Sequence, residues 1–151
     1  MIALLERVSH YVYEAIIHYQ KAEESLKSLN HDSVYDQCKI ALGATAIATY
    51  IIANETEPQI TEAINWVDGL PIPNGLYSSL IEAVHVVERK YFPLLGFALS
   101  YPTSRKNLDL IFDALEELLQ NIHTNDENKE FDDILREWIN TLGYDYSDII
   151  G

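Results

Sequence analysis

Apolar residues recur at steps of three and four along the first thirty positions, the spacing that one face of an α-helix requires. The unbroken pattern predicts one helix of about 40 Å at about 1.5 Å per residue. Its stripe comprises Leu5, Val8, Val12, Ala15, Tyr19, Ala22, Leu26 and Leu29. Leu4, Tyr11 and Ile16 widen the apolar arc, which predicts that one edge faces a second copy of the chain in a homodimer.

A second helical pattern is rich in small residues. Asn30-His31-Asp32-Ser33 ends the first helix and supplies N-cap candidates for the second. One face of the range 34–53 carries Cys38, Ala41, Thr45, Ala48 and Ile52, and its neighbours include Gly43, Ala44, Ala46 and Thr49. Because small side chains on several faces let other helices approach closely, this alanine-rich segment is predicted to be the buried central helix.

Two shorter patterns follow. Thr56-Glu57-Pro58 predicts the start of a third helix, because a proline in the first turn loses no backbone hydrogen bond. That helix is predicted to end at Asp68-Gly69. A fourth helix, interrupted at Pro93, has the stripe Leu76, Leu80, Val84, Val87 and Tyr91. The break leaves a small-ligand cavity under the apolar stretch 92–99 as an open alternative.

Two further patterns complete the chain. A fifth helix after Thr103-Ser104 has the stripe Leu108, Ile111, Leu115, Leu118 and Ile122. Thr124-Asn125-Asp126-Glu127 is a capping-box pattern that opens a sixth helix, which Gly143 ends. The stripe of that helix is Phe131, Ile134, Leu135, Trp138 and Leu142.

These patterns predict an all-α, single-domain helical bundle of about six helices. It has a long N-terminal helix, an alanine-rich central helix and an acidic C-terminal helical hairpin. Residues 1–123 are predicted to form the bundle core. Residues 124–151 are predicted to form an acidic helix and tail that pack on the same domain or extend from it.

The composition is that of a globular protein, since 48% of the residues are hydrophobic and 23% are charged. No apolar run reaches the roughly 18 residues that span a bilayer, so no membrane association is predicted. The single cysteine, Cys38, excludes an intrachain disulfide. The N-terminal residues show no signal-peptide pattern, and together these features predict a cytoplasmic protein.

Negative charge is concentrated near the C-terminus. The formal net charge is −14, and residues 112–151 hold eleven acids against Lys129 and Arg136, a net charge of −9. An acidic chain repels a phosphate backbone, so direct nucleic-acid binding is not expected. The same charge would attract a basic protein partner. The alternative is that the surplus acid only maintains solubility.

Histidines and glutamates at helical spacing are candidates for a metal site. His10, Glu14 and His18 share one side of the first helix, and Glu82 and His85 form a Glu-x-x-His pair on the fourth. Di-metal carboxylate bundles use such a pair on two helices, and no second copy occurs here. His10 and Glu14 also lie away from the apolar stripe, whereas bundle ligands point inward. A solvated face is therefore favoured, and no cofactor is predicted.

Sequence motifs of catalysis are absent. The chain has no Gly-x-Ser-x-Gly, phosphate-binding loop or Gly-x-Gly-x-x-Gly. Cys38 lies on the small-residue face of the second helix, where a cysteine acts as a small apolar residue. The neighbouring acids Glu116-Glu117 and Asp132-Asp133 diverge on a helix and form no acid–base pair. No catalytic residue is predicted.

The order of elements from Tyr11 to Ile122 resembles that of HEPN-type helical domains. Tyr35-Asp36-x-Cys38-x-x-Ala41-x-x-Ala44 is similar to the start of their alanine-rich second helix. Tyr91-Phe92-Pro93 and Tyr101-Pro102 resemble the tyrosines that precede their last helix. The ribonuclease members carry an Arg followed after four to six residues by a His, a spacing absent here. The resemblance therefore implies a non-catalytic member that dimerises or partners a nucleotidyltransferase-like protein.

The favoured interpretation is a non-enzymatic interaction module, such as an inhibitor, an antitoxin or an accessory subunit, that binds a basic partner protein. Its predicted contact residues are Glu116, Glu117, Glu127, Glu130, Asp132, Asp133, Glu137, Tyr144 and Tyr146. The tyrosines are included because an apolar ring with a polar hydroxyl suits an interface. One alternative is a metal-binding bundle enzyme that uses the His/Glu set, and another is the HEPN-like partner of a nucleotidyltransferase.

Overall fold

Helices provide all of the regular secondary structure in the part of the chain that the structure describes. The computed structural model describes residues 2–71, 75–88, 101–123, 133, 135–137, 139–140 and 143. Its helices are α1 (Ile2–Lys27), α2 (His31–Asn54), α3 (Ile60–Asp68), α4 (Ser78–Ala83), which continues as a π-helical turn (Val84–Glu88), and α5 (Tyr101–His123). The predicted all-α helical bundle is confirmed. Within these residues, no helix is both long enough and apolar enough to cross a membrane.

Helices α1 and α2 form a hairpin joined by a short turn, and the predicted stripe of α1 is buried from Val8 to Leu26. Leu29 differs: it lies beyond the helix with a φ of 58° and is 63% exposed. The Leu29 N–H donates to the Leu26 carbonyl, and the Asn30 N–H donates to the Ser25 carbonyl. This pair of bonds is a Schellman motif, so Leu29 terminates the helix instead of joining the core.

Helix α2 is the central helix, as its small residues predict. Every residue from Ala41 to Thr49 is buried, and α2 contacts α1, α3, α4 and α5. The buried Thr45 hydroxyl donates to the Ala41 carbonyl at 2.8 Å, and the Thr49 hydroxyl donates to the Thr45 carbonyl at 2.9 Å. Both polar groups are thereby satisfied inside the core. At the start of α2, the Asn30 side chain accepts a hydrogen bond from the Ser33 N–H, as an N-cap does.

Helix α3 begins later than the sequence predicted. Residues 57–59 are not helical, and the first helical residue is Ile60. The connector before α3 is attached to α1, because the Glu57 carboxylate accepts a hydrogen bond from Arg7 at 2.7 Å. The predicted end is confirmed, since α3 stops at Asp68 with Gly69 as its C-cap.

Gly43 leaves room for the Ile60 side chain of α3 to lie against α2, because a Cβ at this position would overlap that side chain. Further along both helices, the Trp66 ring lies edge-on to the Tyr50 ring with centroids 5.4 Å apart. Helix α3 therefore packs against α2 through contacts at both Gly43 and Tyr50.

Helices α4 and α5 pack against each other. The predicted stripe of α5 is buried. Leu76, predicted as the first stripe residue of the fourth helix, lies before α4 and is 57% exposed. After Ala83 the helix widens into the π turn, where the Tyr35 hydroxyl donates to the Val87 carbonyl at 3.2 Å. Tyr91, Pro93 and the stretch 92–99 lie outside the described residues.

Part of the predicted sixth helix is described, and it packs on the core. Residues 133, 135–137 and 139–140 are helical, and the Leu135 and Ile139 side chains are almost completely buried. Gly143 has a φ of 91°, and its N–H donates to the Asn140 carbonyl at 3.0 Å. A positive φ suits glycine, which fits the predicted stop. The rest of that helix and the tail 144–151 lie outside the described residues.

The wide apolar arc of α1 is covered within one chain. Ile16 is 3% exposed, and Leu4 and Tyr11 pack partly buried against the core. The width from which a homodimer was predicted is thus accounted for by intramolecular packing. The dimer stays a prediction, and α1 no longer supplies the reason for it.

Candidate interaction surfaces

Acidic side chains of α4 and α5 lie near enough to affect one another's charge where the two helices pack. We call Glu82, Asp109, Asp113 and Glu116 the acidic face. Desolvation raises the pKa of the exposed Asp113 carboxyl, and the charges of Asp109 and Glu82 raise it further. Arg105 offsets some of this charge through an ion pair with Asp109 at 2.9 Å. The face remains net negative, because Arg105 brings one positive charge against the four carboxylates. The sequence interpretation used Glu82 only as a metal ligand and did not single out Asp109 or Asp113.

The predicted partner-binding acids have different environments. Asp133 and Glu137 are exposed, and Glu116 is half-exposed. Glu117 is engaged within the bundle: its carboxylate accepts hydrogen bonds from the Ser79 and Leu80 N–H groups at 3.1 and 3.3 Å. It therefore caps α4 instead of facing solvent as a free charge. The predicted contacts outside the described residues are Glu127, Glu130, Asp132, Tyr144 and Tyr146.

The predicted metal ligands of α1 are engaged with neighbouring side chains. His18 lies with its Nε2 3.4 Å from a Glu14 carboxylate oxygen, and its Nδ1 contacts the Gln37 amide oxygen of α2. His10 is exposed, and its ring lies edge-on to Tyr11 with centroids 5.3 Å apart. His18 is therefore more enclosed than the solvated face that the helical periodicity predicted.

The predicted ligands on the fourth helix lie elsewhere. His85 pairs with Asp68 of α3, with its Nε2 3.1 Å from the carboxylate oxygen, while Glu82 belongs to the acidic face. Helix α1 packs on α2 and α5, whereas His85 belongs to a turn that packs on α2, α3 and α4. Among the residues that the structure describes, no three His, Cys, Asp or Glu side chains lie close enough to hold a metal ion.

Cys38 and Ser104 carry nucleophilic atoms, and both are buried. Cys38 is completely buried, and burial raises the pKa of its thiol to about 12, so the thiol stays neutral and unreactive near pH 7. The Ser104 hydroxyl lies 2.8 Å from Nδ1 of His31, but Ser104 is only 2% exposed. A substrate has no access to that hydroxyl in this arrangement. The pair ties the start of α2 to the start of α5.

A groove between α2 and α3 has a volume of about 420 Å³ and was not predicted. Its lining comprises Lys39, Ile40, Gly43, Ile60, Thr61, Ile64 and Asn65. Ile40 is 45% exposed and Ile60 is 51% exposed, so apolar side chains face solvent here. Both isoleucines lie off the buried stripes of their helices, and periodicity therefore treats them as ordinary surface positions. The available signal was Gly43, a glycine inside a helix, which marks a close approach.

An aromatic row adjoins the other half of α3. The Trp66 ring lies between the rings of Tyr50 and Tyr77, at centroid distances of 5.4 and 5.8 Å. The Tyr50 hydroxyl donates to Glu62 at 2.9 Å, and this bond raises the pKa of Tyr50. All three rings are partly buried against the core. The row therefore contributes to packing, with the Tyr50 hydroxyl at its rim.

A second polar cluster joins α1 to the connector before α3. Besides the Arg7 bond, the Glu57 carboxylate accepts a hydrogen bond from the Tyr11 hydroxyl at 3.0 Å. The bond from Arg7, followed by that from Tyr11, lowers the pKa of Glu57 despite some desolvation. These contacts hold the connector that the sequence interpretation placed in the third helix.

No protein-family model, no curated protein and no solved structure matches this chain. The function is therefore argued from the residues and their arrangement.

Proposed function

We propose that this chain is an acidic helical interaction module that binds a basic partner protein. The observation that carries the proposal is the acidic face, where Glu82 of α4 and Asp109 and Asp113 of α5 set carboxylates near one another. Like charges held together raise the energy of the free protein, and a cationic partner would relieve that repulsion. The net charge of −14 extends the same field over the whole chain.

The contact surface in this proposal comprises the acidic face together with Asp133, an exposed acid later in the chain. Glu116 lies about one turn after Asp113 on α5, and Asp133 is exposed on the described part of the next helical segment. Glu117 is excluded because its carboxylate is needed to cap α4. If the resemblance to HEPN-type domains reflects ancestry, the basic partner is a nucleotidyltransferase-like protein.

The test compares two variants that remove the same number of charges from different places. The first carries Asp113→Asn, Glu116→Gln and Asp133→Asn, and the matched control carries Glu6→Gln, Glu24→Gln and Asp36→Asn, all exposed acids of α1 and α2. Both are used as bait in the native host, at low and high salt. Mass spectrometry identifies the captured proteins.

We expect wild type and control to recover the same basic protein and the first variant to lose it. Capture should weaken steeply with salt, because the Debye length falls from ~10 Å at 0.1 M to ~3 Å at 1 M. Equal recovery with all three baits, or capture that high salt leaves unchanged, would remove the acidic face from the function.

A further inference from the structure

The groove between α2 and α3 has the dimensions of a small-molecule site. Its volume of about 420 Å³ lies within the range of roughly 300–1,000 Å³ that ligand pockets occupy. Along α3 its lining extends from Ile60 to Asn65, and along α2 from Lys39 to Gly43. At 1.5 Å per residue these stretches are only about 6–8 Å long. A docked amphipathic helix needs anchors over about 10 Å or more, so the groove is too short for one.

The lining combines an apolar floor with polar edges. Ile40 and Ile60 are both about half-exposed, and Ile64 lies almost completely buried beneath them. An alkyl chain placed here would cover apolar side chains that solvent now contacts, and burial of such surface is favourable. The Ile60 side chain lies directly over Gly43, so a side chain at position 43 would displace Ile60 and change the shape of the floor.

The polar edges favour an anionic head group. Lys39 is the charged residue in the lining, in a chain whose net charge is −14. Its ammonium group lies 5.7 Å from the centre of the Tyr35 ring, which keeps it near the surface of α2. On the opposite wall Thr61 adds a hydroxyl and Asn65 adds an amide, both of which can donate hydrogen bonds to an oxyanion.

From this lining we infer that the groove binds a medium-chain aliphatic carboxylate, with the alkyl chain on Ile40, Ile60 and Ile64 and the carboxylate at Lys39. This site is separate from the acidic face and does not depend on the partner proposed above. It would give the module a small-molecule ligand in addition to a protein partner.

The first experiment compares four probes by isothermal titration calorimetry and by amide chemical shifts. Octanoate carries both features of the ligand, octanol lacks the charge, octylammonium reverses it, and acetate lacks the chain. We expect octanoate to bind with a Kd on the order of 1 mM or tighter, octanol to bind more weakly, and the other two not to bind. The shifts should be confined to residues 39–43 and 60–65. Octylammonium binding as tightly as octanoate, or shifts spread over the whole chain, would overturn the inference.

The second experiment separates the two halves of the site by mutation. Lys39→Gln should weaken octanoate about fivefold to tenfold through loss of a charge-assisted hydrogen bond, and should leave octanol unchanged. Gly43→Ala should weaken both probes, because the new methyl group displaces Ile60. Leu76→Ser, an exposed apolar residue outside the groove, serves as the control and should leave both affinities unchanged. Octanoate binding that Lys39→Gln and Gly43→Ala leave intact would place the ligand elsewhere and refute the assignment.

Discussion

At the scale of single residues, two helices are followed by a non-glycine residue in a left-handed backbone conformation. Leu29 and Glu55 follow α1 and α2 with φ values of 58° and 57°, a left-handed conformation that glycine adopts more easily. Leu29 adds a second anomaly, because it is apolar and 63% exposed. Periodicity placed Leu29 in the stripe of α1, because spacing alone does not show that the helix has already ended two residues earlier, at Lys27.

Leu29→Gly should therefore stabilise the protein. Relief of the left-handed strain should stabilise the fold by about 1–2 kcal/mol. The greater conformational entropy of glycine in the unfolded chain offsets part of this, so we expect a net gain of about 0.5–1 kcal/mol in the free energy of unfolding. Urea denaturation measures the change. Leu76→Gly is the matched control, because Leu76 is also exposed but has no positive φ, and it should give no gain. A loss of stability in Leu29→Gly would show that the leucine side chain contributes a contact of its own.

At the scale of elements, the sequence predicted the long helices better than the short ones. The apolar stripes of α1 and α5 extend over many turns. An error of a few residues at either end therefore changes little of the predicted buried face. Helix α3 has nine residues, and the connector before it is bonded through Glu57 to Arg7, fifty positions away. No local pattern contains that bond. The groove escaped prediction for a similar reason, because it exists only where Gly43 and Ile60 meet.

Glu117→Gln should weaken the attachment of α4 to α5. The Glu117 carboxylate accepts hydrogen bonds from the Ser79 and Leu80 N–H groups and from the Ser78 hydroxyl, and an amide is a weaker acceptor with no charge for the helix start. We expect a loss of about 1 kcal/mol in the free energy of unfolding. Glu116→Gln removes the same charge one residue earlier and should change stability little. Equal losses in the two variants would mean that charge alone, and not the cap, is responsible.

At the scale of the whole molecule, the net charge of −14 destabilises the folded state through repulsion among like charges. This net charge follows directly from the composition, but its location on the surface depends on the fold. The sequence placed the contact surface on 116–148, whereas the described carboxylates whose charges interact across elements are Glu82, Asp109 and Asp113. Convergence of side chains from α4 and α5 depends on packing, which the order of residues does not express.

Asp113→Asn should stabilise the protein at pH 7. The pKa of Asp113 is raised in the folded state, so the ionised carboxyl opposes folding above its ordinary pKa, and this penalty disappears as the pH falls below that range. The gain should be small because the side chain is exposed, and it should shrink in high salt. Thermal unfolding at pH 7 and pH 3, in low and high salt, measures it. Asp36→Asn, which changes the charge equally on α2, should gain less; an equal gain would assign the effect to net charge alone.

The π-helical turn at Val84–Glu88 affects how the length of the chain can vary. Its hydrogen bonds join residues five apart instead of four, so the turn holds an additional residue relative to an α-helix. Inside an α-helix, loss of one residue rotates every later side chain by about 100° and moves the apolar stripe off the core. Here a single deletion can convert the π turn to α-helix while the residues on either side keep their faces. This turn is therefore a position where related chains can differ by one residue without repacking the bundle.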